Sequence, residues 1–402
     1  MMERKPILFQ INITANWGST GRIVESIGIA AMNHGWESYI AYGRWSNPSK
    51  SQLIKIGNKW DKYLHYGEQR IRDNEGLCSR RSTKKLISQI EEIKPDIVQL
   101  HNIHDHYLNY KLLFEYLNGT NIKVVWTFHD CWAFTGHCFH FATKNCMKWK
   151  TQCYECPMKN VLPKTMLDHS REHYKLKKKL FVDCKNLTIV PVSEWMAGFV
   201  KQSFLKDKRI EIIKNGVDLN VFKPLSGIKE VSFHKILAVS SVWNEEKGLS
   251  DIFKLREQLP PNYSLTIVGL TARQVEALPA GINGIQRTHN VQELVEMYSK
   301  SDVLINTSYA DTFPTVNLEA LACGTPVVTY RTGGSPEAVT PETGTVVEQG
   351  DIMAMAEAIR SICSKDSERY VIACRKRAEH YFDKDKCYEK YIELYESLLL
   401  NK

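Results

Sequence analysis

DVLINTSYADTFPTVNLEALACGTPVVTYRTGG, residues 302–334, reads as one strand–loop–helix–strand unit. The apolar run DVLIN (302–306) has the length of a buried strand, and PVVTY (326–330) is a second. Between them, Pro314 suits a first helical turn and Gly324 followed by Pro326 is a stop signal, which predicts a short helix over 315–323. Asp311 then lies in the loop at the helix mouth, and Glu319 about a turn and a half inside the helix. The mouth, formed by Phe313, Pro314, Thr315 and Val316, offers backbone N–H groups that suit an anion. Carboxylates do not bind phosphate; they accept hydrogen bonds from hydroxyls. A phosphate pocket edged by hydroxyl acceptors points to a nucleotide-sugar, although solvated acids on an ordinary αβ unit would show the same spacing.

Outward from this unit, short apolar strands alternate with helical segments, the pattern of parallel sheets covered on both faces. The first run is ILFQINI (7–13), NWGSTG and a helix over 21–33, then SYIAY (38–42), DIVQLH (96–101), KVVWTF (123–128), NLTIVP (186–191) and IEIIK (210–214). The second is HKILAV (234–239), SLTIV (264–268), DVLIN, PVVTY and TVV (345–347). At 402 residues the chain exceeds what one core usually fills, so two α/β domains are expected. Their boundary falls in NGVDLNVFKPLSG (215–227), giving an N-terminal domain 1–217, a C-terminal domain 218–380 and a terminal amphipathic helix within 381–402. Residues 44–78 resist placement, and a cysteine-rich insert, 131–158, breaks the rhythm of the first domain.

No apolar run approaches bilayer length, and MMERKPILFQINI (1–13) is a short basic start leading into a strand, so a cytoplasmic protein is expected. The net charge of +8 is concentrated in 159–214, where YKLKKKL (174–180) stands out. This basic stretch predicts an anionic membrane surface met through residues 171–180, on the inner face of the cell membrane, or a polyphosphate substrate, or a merely solvated helix face. Zinc-finger, RRM and helix-turn-helix signatures are missing, so no nucleic-acid partner is expected.

Over nearly its whole length the sequence resembles the retaining glycosyltransferases of GT family 4, with the GT-B fold. The resemblance rests on an acid, seven residues and Glu, followed by LEALACGTPVV and a GG loop, here from Asp311 to Gly334. NWGSTGRI (16–23), HNIH (101–104), TFHDCWAFTGHC (127–138) and VWNEEKG (242–248) are similar to a subgroup attached to bacterial surface-polysaccharide synthesis of the colanic-acid type. The resemblance implies two Rossmann-like domains facing an interdomain cleft, with the acceptor on the first, the nucleotide-sugar on the second, and the last helix crossing back. It implies that Glu319 holds the donor ribose, Asp311 contacts the donor sugar and Lys247 neutralises the diphosphate. Two departures stand out: Asp at 311 where Glu is usual, and Val242 where the family commonly has Arg. The helix mouth and Arg331 or Arg273 are the candidate replacements for the missing cation.

In the first domain, Gly18 and Gly21 permit a tight turn and close approach to a ligand, without the spacing of a dinucleotide fingerprint. His129 ends a parallel strand, where side chains point into a functional crevice. The resemblance places it near the donor sugar as a hydrogen-bonding residue, not as a general base. His101 and His104 are expected to line or support the acceptor side.

Cys138, Cys146, Cys153 and Cys156 form C-x7-C-x6-C-x2-C. In a reducing compartment four thiolates suit a structural zinc, with His137 or His140 able to replace one; buried thiols or a labile disulfide are the alternatives. No organic cofactor is expected and no strict need for Mg²⁺ or Mn²⁺, since no DxD pair stands by the signature. The function expected is transfer of a hexose-type sugar from a UDP- or GDP-sugar to a hydroxyl of a glycan or polyprenyl-linked glycan. A non-catalytic glycan-binding scaffold, or a nucleotide-sugar epimerase, is the competing reading.

Overall fold

The computed structural model describes residues 4–161, 163–225 and 233–400. Residues 226 and 227 of the boundary loop, the first three residues of the basic start and the last two of the terminal segment lie outside these. The chain divides into two compact units, Met1–Lys214 with Tyr388–Lys402, and Asn215–Cys387.

The first unit carries a seven-stranded sheet of β1 (Ile7–Asn12), β2 (Glu37–Tyr42), β3 (Gln52–Lys55), β4 (Ile97–Leu100), β5 (Lys123–Phe128), β6 (Leu187–Pro191) and β7 (Arg209–Ile210). All neighbours are parallel, in the order β3-β2-β1-β4-β5-β6-β7. The central strands are buried along their whole length, which is why they read as continuous apolar runs. Gln99 and Thr127 interrupt those runs, and the terminal helix (Lys384–Leu400) accounts for both. Gln99 Nε2 donates to Thr127 Oγ1 at 3.0 Å, Tyr391 OH meets Thr127 Oγ1 at 3.1 Å, and Tyr395 OH donates to Gln99 Oε1.

The second unit carries β8 (His234–Val239), β9 (Tyr263–Val268), β10 (Ile282–Ile285), β11 (Val303–Asn306), β12 (Val327–Tyr330) and β13 (Gly344–Val347). They too are parallel, in the order β10-β9-β8-β11-β12-β13. In each unit the strand order reverses once, between β1 and β4 and between β8 and β11. Ligands of open α/β sheets bind outside the carboxyl ends of the strands at such a switch point.

Several expectations need correction. Residues 44–78 contain β3 and a helix, Lys59–Arg72, whose start is fixed by a capping box between Asn58 and Asp61. β10 was not anticipated, because INGI is short, edge-placed and interrupted by Asn and Gly. The IEIIK strand pairs only at Arg209–Ile210. The first helix starts at Gly18, so Gly21 belongs to its first turn and not to the preceding loop. Pro314 precedes the helix Thr315–Ala322 and is not inside it. The insert that breaks the rhythm packs inward: Phe134, Phe141 and Trp149 are buried in the core of the first unit, with ring centroids 4.9–6.2 Å apart. Lys177, in the middle of YKLKKKL, is also buried, its Nζ 2.8 Å from the Trp132 carbonyl and 3.5 Å above the Trp132 ring. The stretch therefore does not form one continuous basic face.

Candidate active site

In the second unit the loops that follow β8 and β11 are locked together. Asn244 caps the short turn Glu245–Lys247 by accepting from the Lys247 N–H at 3.0 Å. Gly248 follows at φ +69°, and a Cβ there would stand 2.3 Å from the Thr307 carbonyl oxygen, so only glycine lets the turn lie against the end of β11. Thr307 Oγ1 donates to the Lys247 carbonyl at 2.9 Å, and Tyr309 N–H to that of Glu246 at 2.7 Å.

This brings Lys247 Nζ to 2.8 Å from Asp311 Oδ2, joining the two sequence-predicted residues in one half-buried ion pair. The GG loop supports the acid from the other side. Gly333 sits so close that a Cβ would fall 1.7 Å from the Asp311 carbonyl, and Gly334 N–H donates to Thr312 O at 2.9 Å.

Downstream, the Phe313 side chain is buried and its carbonyl accepts from Asn215 Nδ2 at 3.3 Å. Thr315 and Val316 open the helix, both half-buried. Glu319 is buried within it, and its Oε2 accepts from Tyr298 OH at 2.9 Å. Tyr298 escaped the sequence reading because nothing in LVEMYSK marks it; the distance to Glu319 is set by the fold alone. Val242 is 60% exposed, while the neighbouring Trp243 is buried with its indole N–H on the Val268 carbonyl at 2.8 Å. Arg331 is occupied by Glu348 at 2.6 Å, and Arg273 lies exposed in the first turn of Ala272–Glu276. Lys247 is thus the signature-matching cation that the structure places beside Asp311.

In the first unit the switch-point loops follow β1 and β4. Asn12 joins them, its Oδ1 accepting from Asn102 N–H at 3.2 Å and its amide donating to Thr14 O at 2.8 Å. Thr14 packs on Gly21, where a Cβ would meet its hydroxyl at 2.7 Å, and Gly18 adopts φ +68° in open space.

His129 stacks on His101, with Nε2 3.0 Å from His101 Nδ1, and His101 Nε2 lies 3.3 Å from Gln10 Oε1. Burial lowers the pKa of His129 to about 4 and that of His101 well below its ordinary value, so both rings are neutral at pH 7. Their tautomers follow from Gln10, whose Nε2 donates to the Val24 carbonyl at 3.0 Å and so turns Oε1 toward His101. His101 must then carry its proton on Nε2 and His129 on its own Nε2. His129 Nδ1 is left as an acceptor.

His104 pairs with Asp130 at 2.7 Å. Burial opposes its charge, but the carboxylate outweighs burial and raises its pKa. Asp105 and His106 have φ of +81° and +69°, a strained pair of the kind that clusters at functional sites. His106 lies 3.1 Å from both Asp105 and the buried Glu75, and Arg44 pairs with Asp105. Two more residues that the sequence did not flag are Trp17 and Trp45, exposed side by side with ring centroids 4.7 Å apart.

Cys138, Cys146, Cys153 and Cys156 line one small cavity together with His137 and Trp149. Cys138 and Cys156 are in hydrogen-bonding contact, and the Gly136 N–H donates to Cys153 Sγ at 3.2 Å. Among the described residues, no three metal-binding side chains are already closed around one point. His137 is held by Asp73 at 2.7 Å, and Cys131 is fully buried.

Two doubly wound parallel units, one with a lysine–acid pair at its switch point, make up the architecture of a GT-B glycosyltransferase. Residues 20–221 match Glycosyltransferase Family 4 and residues 229–379 match Glycosyl transferases group 1. The chain belongs to glycosyltransferase family 4. It is 21% identical over 411 residues to WcaC of Escherichia coli K12, covering 97% of this chain and 100% of that one; the name of WcaC assigns it, as a glycosyl transferase, to colanic acid biosynthesis. A second relative is the capsular polysaccharide biosynthesis glycosyltransferase CapM of Staphylococcus aureus, 26% identical over 235 residues, 52% of this chain and 62% of CapM. Among solved structures, Anabaena HepE in complex with UDP shares the fold with a TM-score of 0.66 at 14% identity, over 98% of this chain and 100% of that one.

Proposed function

We propose that this glycosyltransferase moves a hexose-type sugar, with retention, from a UDP- or GDP-sugar to a hydroxyl of a glycan or polyprenyl-linked glycan in bacterial polysaccharide synthesis. The observation that carries the reading is Lys247 on Asp311 at 2.8 Å, at the switch point of the second unit. The names of WcaC and CapM support the biosynthetic setting, and the UDP bound by HepE supports a nucleotide donor in this fold.

In this reading Lys247 and the helix mouth at 313–316 hold the diphosphate, and Glu319, oriented by Tyr298, accepts from the ribose hydroxyls. Asp311 accepts from a hydroxyl of the donor sugar. The bond between the anomeric carbon and the phosphate oxygen breaks as the acceptor oxygen bonds to that carbon from the same face, and the acceptor proton passes to the departing phosphate. No protein base is required. Charge accumulates on the diphosphate, so a fixed ammonium beside it lowers the barrier. His129 Nδ1 accepts a hydrogen bond from a sugar hydroxyl, and the Trp17–Trp45 pair offers aromatic faces to the apolar face of an acceptor sugar. The enzyme works in the cytoplasm, peripheral to the inner face of the membrane; among the described residues no helix is long and apolar enough to cross it.

The cysteine cavity is read as a structural zinc site. Four thiols on one cavity support this, as does the amide aimed at Cys153. Lys177, whose charge lies close to Cys138 and Cys153, would offset the negative charge of a thiolate set.

Titrating the purified protein with a panel of UDP- and GDP-sugars, with and without lipid-linked acceptor, tests the function. Binding of one donor with acceptor-dependent release of nucleotide supports it. Failure of every nucleotide to bind would favour a scaffold, and an epimerised donor formed without acceptor would favour an epimerase.

A further inference from the structure

The helix Lys59–Arg72, KWDKYLHYGEQRIR, is turned inside out. Its inward residues are polar. His65 is fully buried, held through Nδ1 by Ser79 at 2.9 Å and through Nε2 by the Gly76 N–H at 3.1 Å. Gln69 is buried beside it and donates to the Lys164 carbonyl at 2.9 Å. The outward residues are apolar: Trp60 is 76% exposed, Tyr63 68%, Leu64 71% and Ile71 55%. Positions 60, 64 and 71 fall within about 40° of one another around the axis, so the apolar stripe faces away from the core. Such a stripe normally faces inward.

The chain extends the stripe from elsewhere in the sequence. Met166 N–H donates to the Arg70 carbonyl at 2.9 Å and Leu167 N–H to that of Ile71 at 3.3 Å, which docks both residues on the end of the helix. They are 72% and 50% exposed. Basic side chains flank the strip: Lys59 and Arg70 on one side of the helix, Arg72 on the other, and Lys164 beside it. The two acids of the helix are already engaged. Asp61 accepts from Asn58 N–H and Ser82 OH, and Glu68 meets Asn74 and Arg72.

We propose that this helix, with Met166 and Leu167, is a membrane-docking surface that lies flat on an anionic bilayer. A helix with an aromatic and aliphatic face flanked by cations inserts that face to the headgroup boundary while its basic groups meet lipid phosphates. Trp and Tyr are the side chains that prefer that depth. The occupant is a lipid surface because the cations bracket the apolar strip. The helix Ser170–Asp183 is the weaker candidate: it exposes Lys175, Lys178 and Lys179, but Val182 is its one exposed large apolar side chain among the described residues. The proposal deepens the lipid-linked-acceptor reading and rests on it for its purpose, but its assay needs neither donor nor acceptor.

Co-sedimentation with phosphatidylcholine vesicles containing phosphatidylglycerol tests it, alongside vesicles of phosphatidylcholine alone. The wild-type chain should pellet with anionic vesicles and resist release by salt more than charge alone would allow. Trp60→Ser combined with Leu64→Ser, at exposed positions that leave the fold intact by circular dichroism, should weaken partitioning at least tenfold. Lys175→Gln, Lys178→Gln and Lys179→Gln together should change it less than threefold. Nucleotide titration of the same variants reads the transferase proposal separately and should be unchanged. A double variant that pellets like wild type overturns the assignment. So does a wild-type dimer in sedimentation that the same substitutions dissociate, which would give this face to a second copy of the chain.

Discussion

Replacing Lys247 by Ala separates the ion pair its ammonium makes from the diphosphate role proposed for it. In the free protein Nζ lies 2.8 Å from Asp311 Oδ2, with the side chains 30% and 21% exposed. A pair that wet contributes about 1 kcal/mol to stability at most, so Lys247→Ala should fold and lose only a few degrees in melting temperature. In the proposed complex with a nucleoside diphosphate, the same charge would face a less hydrated anion. Its removal should cost on the order of 2 kcal/mol or more, roughly a 30-fold loss of affinity.

Asp311→Asn should behave in the opposite way. It releases the ammonium from its internal partner, so UDP or GDP affinity should stay the same or rise by up to about fivefold, the equivalent of about 1 kcal/mol. Turnover should fall, because the sugar loses a charged acceptor. In the double variant the affinity should equal that of Lys247→Ala alone. Isothermal titration with free nucleotide, paired with turnover at saturating donor, reads both quantities. Lys247→Ala binding within threefold of wild type, or Asp311→Asn losing affinity as Lys247→Ala does, would refute the phosphate assignment.

Glu319→Gln should weaken nucleotide binding about tenfold, because charge-assisted bonds to hydroxyls are about twice as strong as neutral ones; Tyr298→Phe should cost less, and unchanged titration of Glu319→Gln would remove it from the ribose site. His106 should make the first unit lose stability in alkali. Burial opposes its charge, but the carboxylates of Asp105 and Glu75, each 3.1 Å away, raise its pKa to about 9, so the stabilisation is complete below the unfolded value near 6.5 and lost as pH rises through 9. The loss is about 3 kcal/mol at most; thermal unfolding from pH 6 to 10 should show it, and His106→Asn should flatten the profile. If the cysteine cavity holds zinc, protein purified without added metal should carry about one ion per chain and lose stability to a chelator, with transfer still not needing Mg²⁺. Metal-free protein with four reactive thiols and an ordered insert would return these cysteines to buried core residues. Val242→Arg should strengthen nucleotide binding where the diphosphate lies within its reach, and an unchanged affinity would place the diphosphate beyond it.

The second unit was the more legible half. Its strands are near-continuous apolar runs, and glycine, proline and acid positions in one 33-residue stretch fixed both the helix and the residues at its mouth. What remained hidden was relational. Tyr298 reaches Glu319 across 21 positions, and no local pattern announces such a partner. In the first unit the helix Lys59–Arg72 defeated a periodicity reading because its apolar stripe faces outward and its buried residues are polar. Lys177 misled for the converse reason: a run of lysines looks solvated until one of them finds two backbone carbonyls and an indole face. The four cysteines of the C-x7-C-x6-C-x2-C spacing line one cavity, and the aromatic packing around them could not be read from the chain.

The histidine chain of the first unit has a directional consequence. Hydrogens point one way along it, from His129 through His101 to Gln10, and from the Gln10 amide into the Val24 carbonyl of the first helix. Because a peptide carbonyl cannot donate, the far end is anchored and the series cannot run backwards without taking up a proton that burial resists. Whatever ligand group meets His129 Nδ1 must therefore arrive bearing a hydrogen. A hydroxyl is admitted there; the same oxygen once methylated, acylated or phosphorylated is turned away, and the choice is enforced by an amide that the ligand never touches.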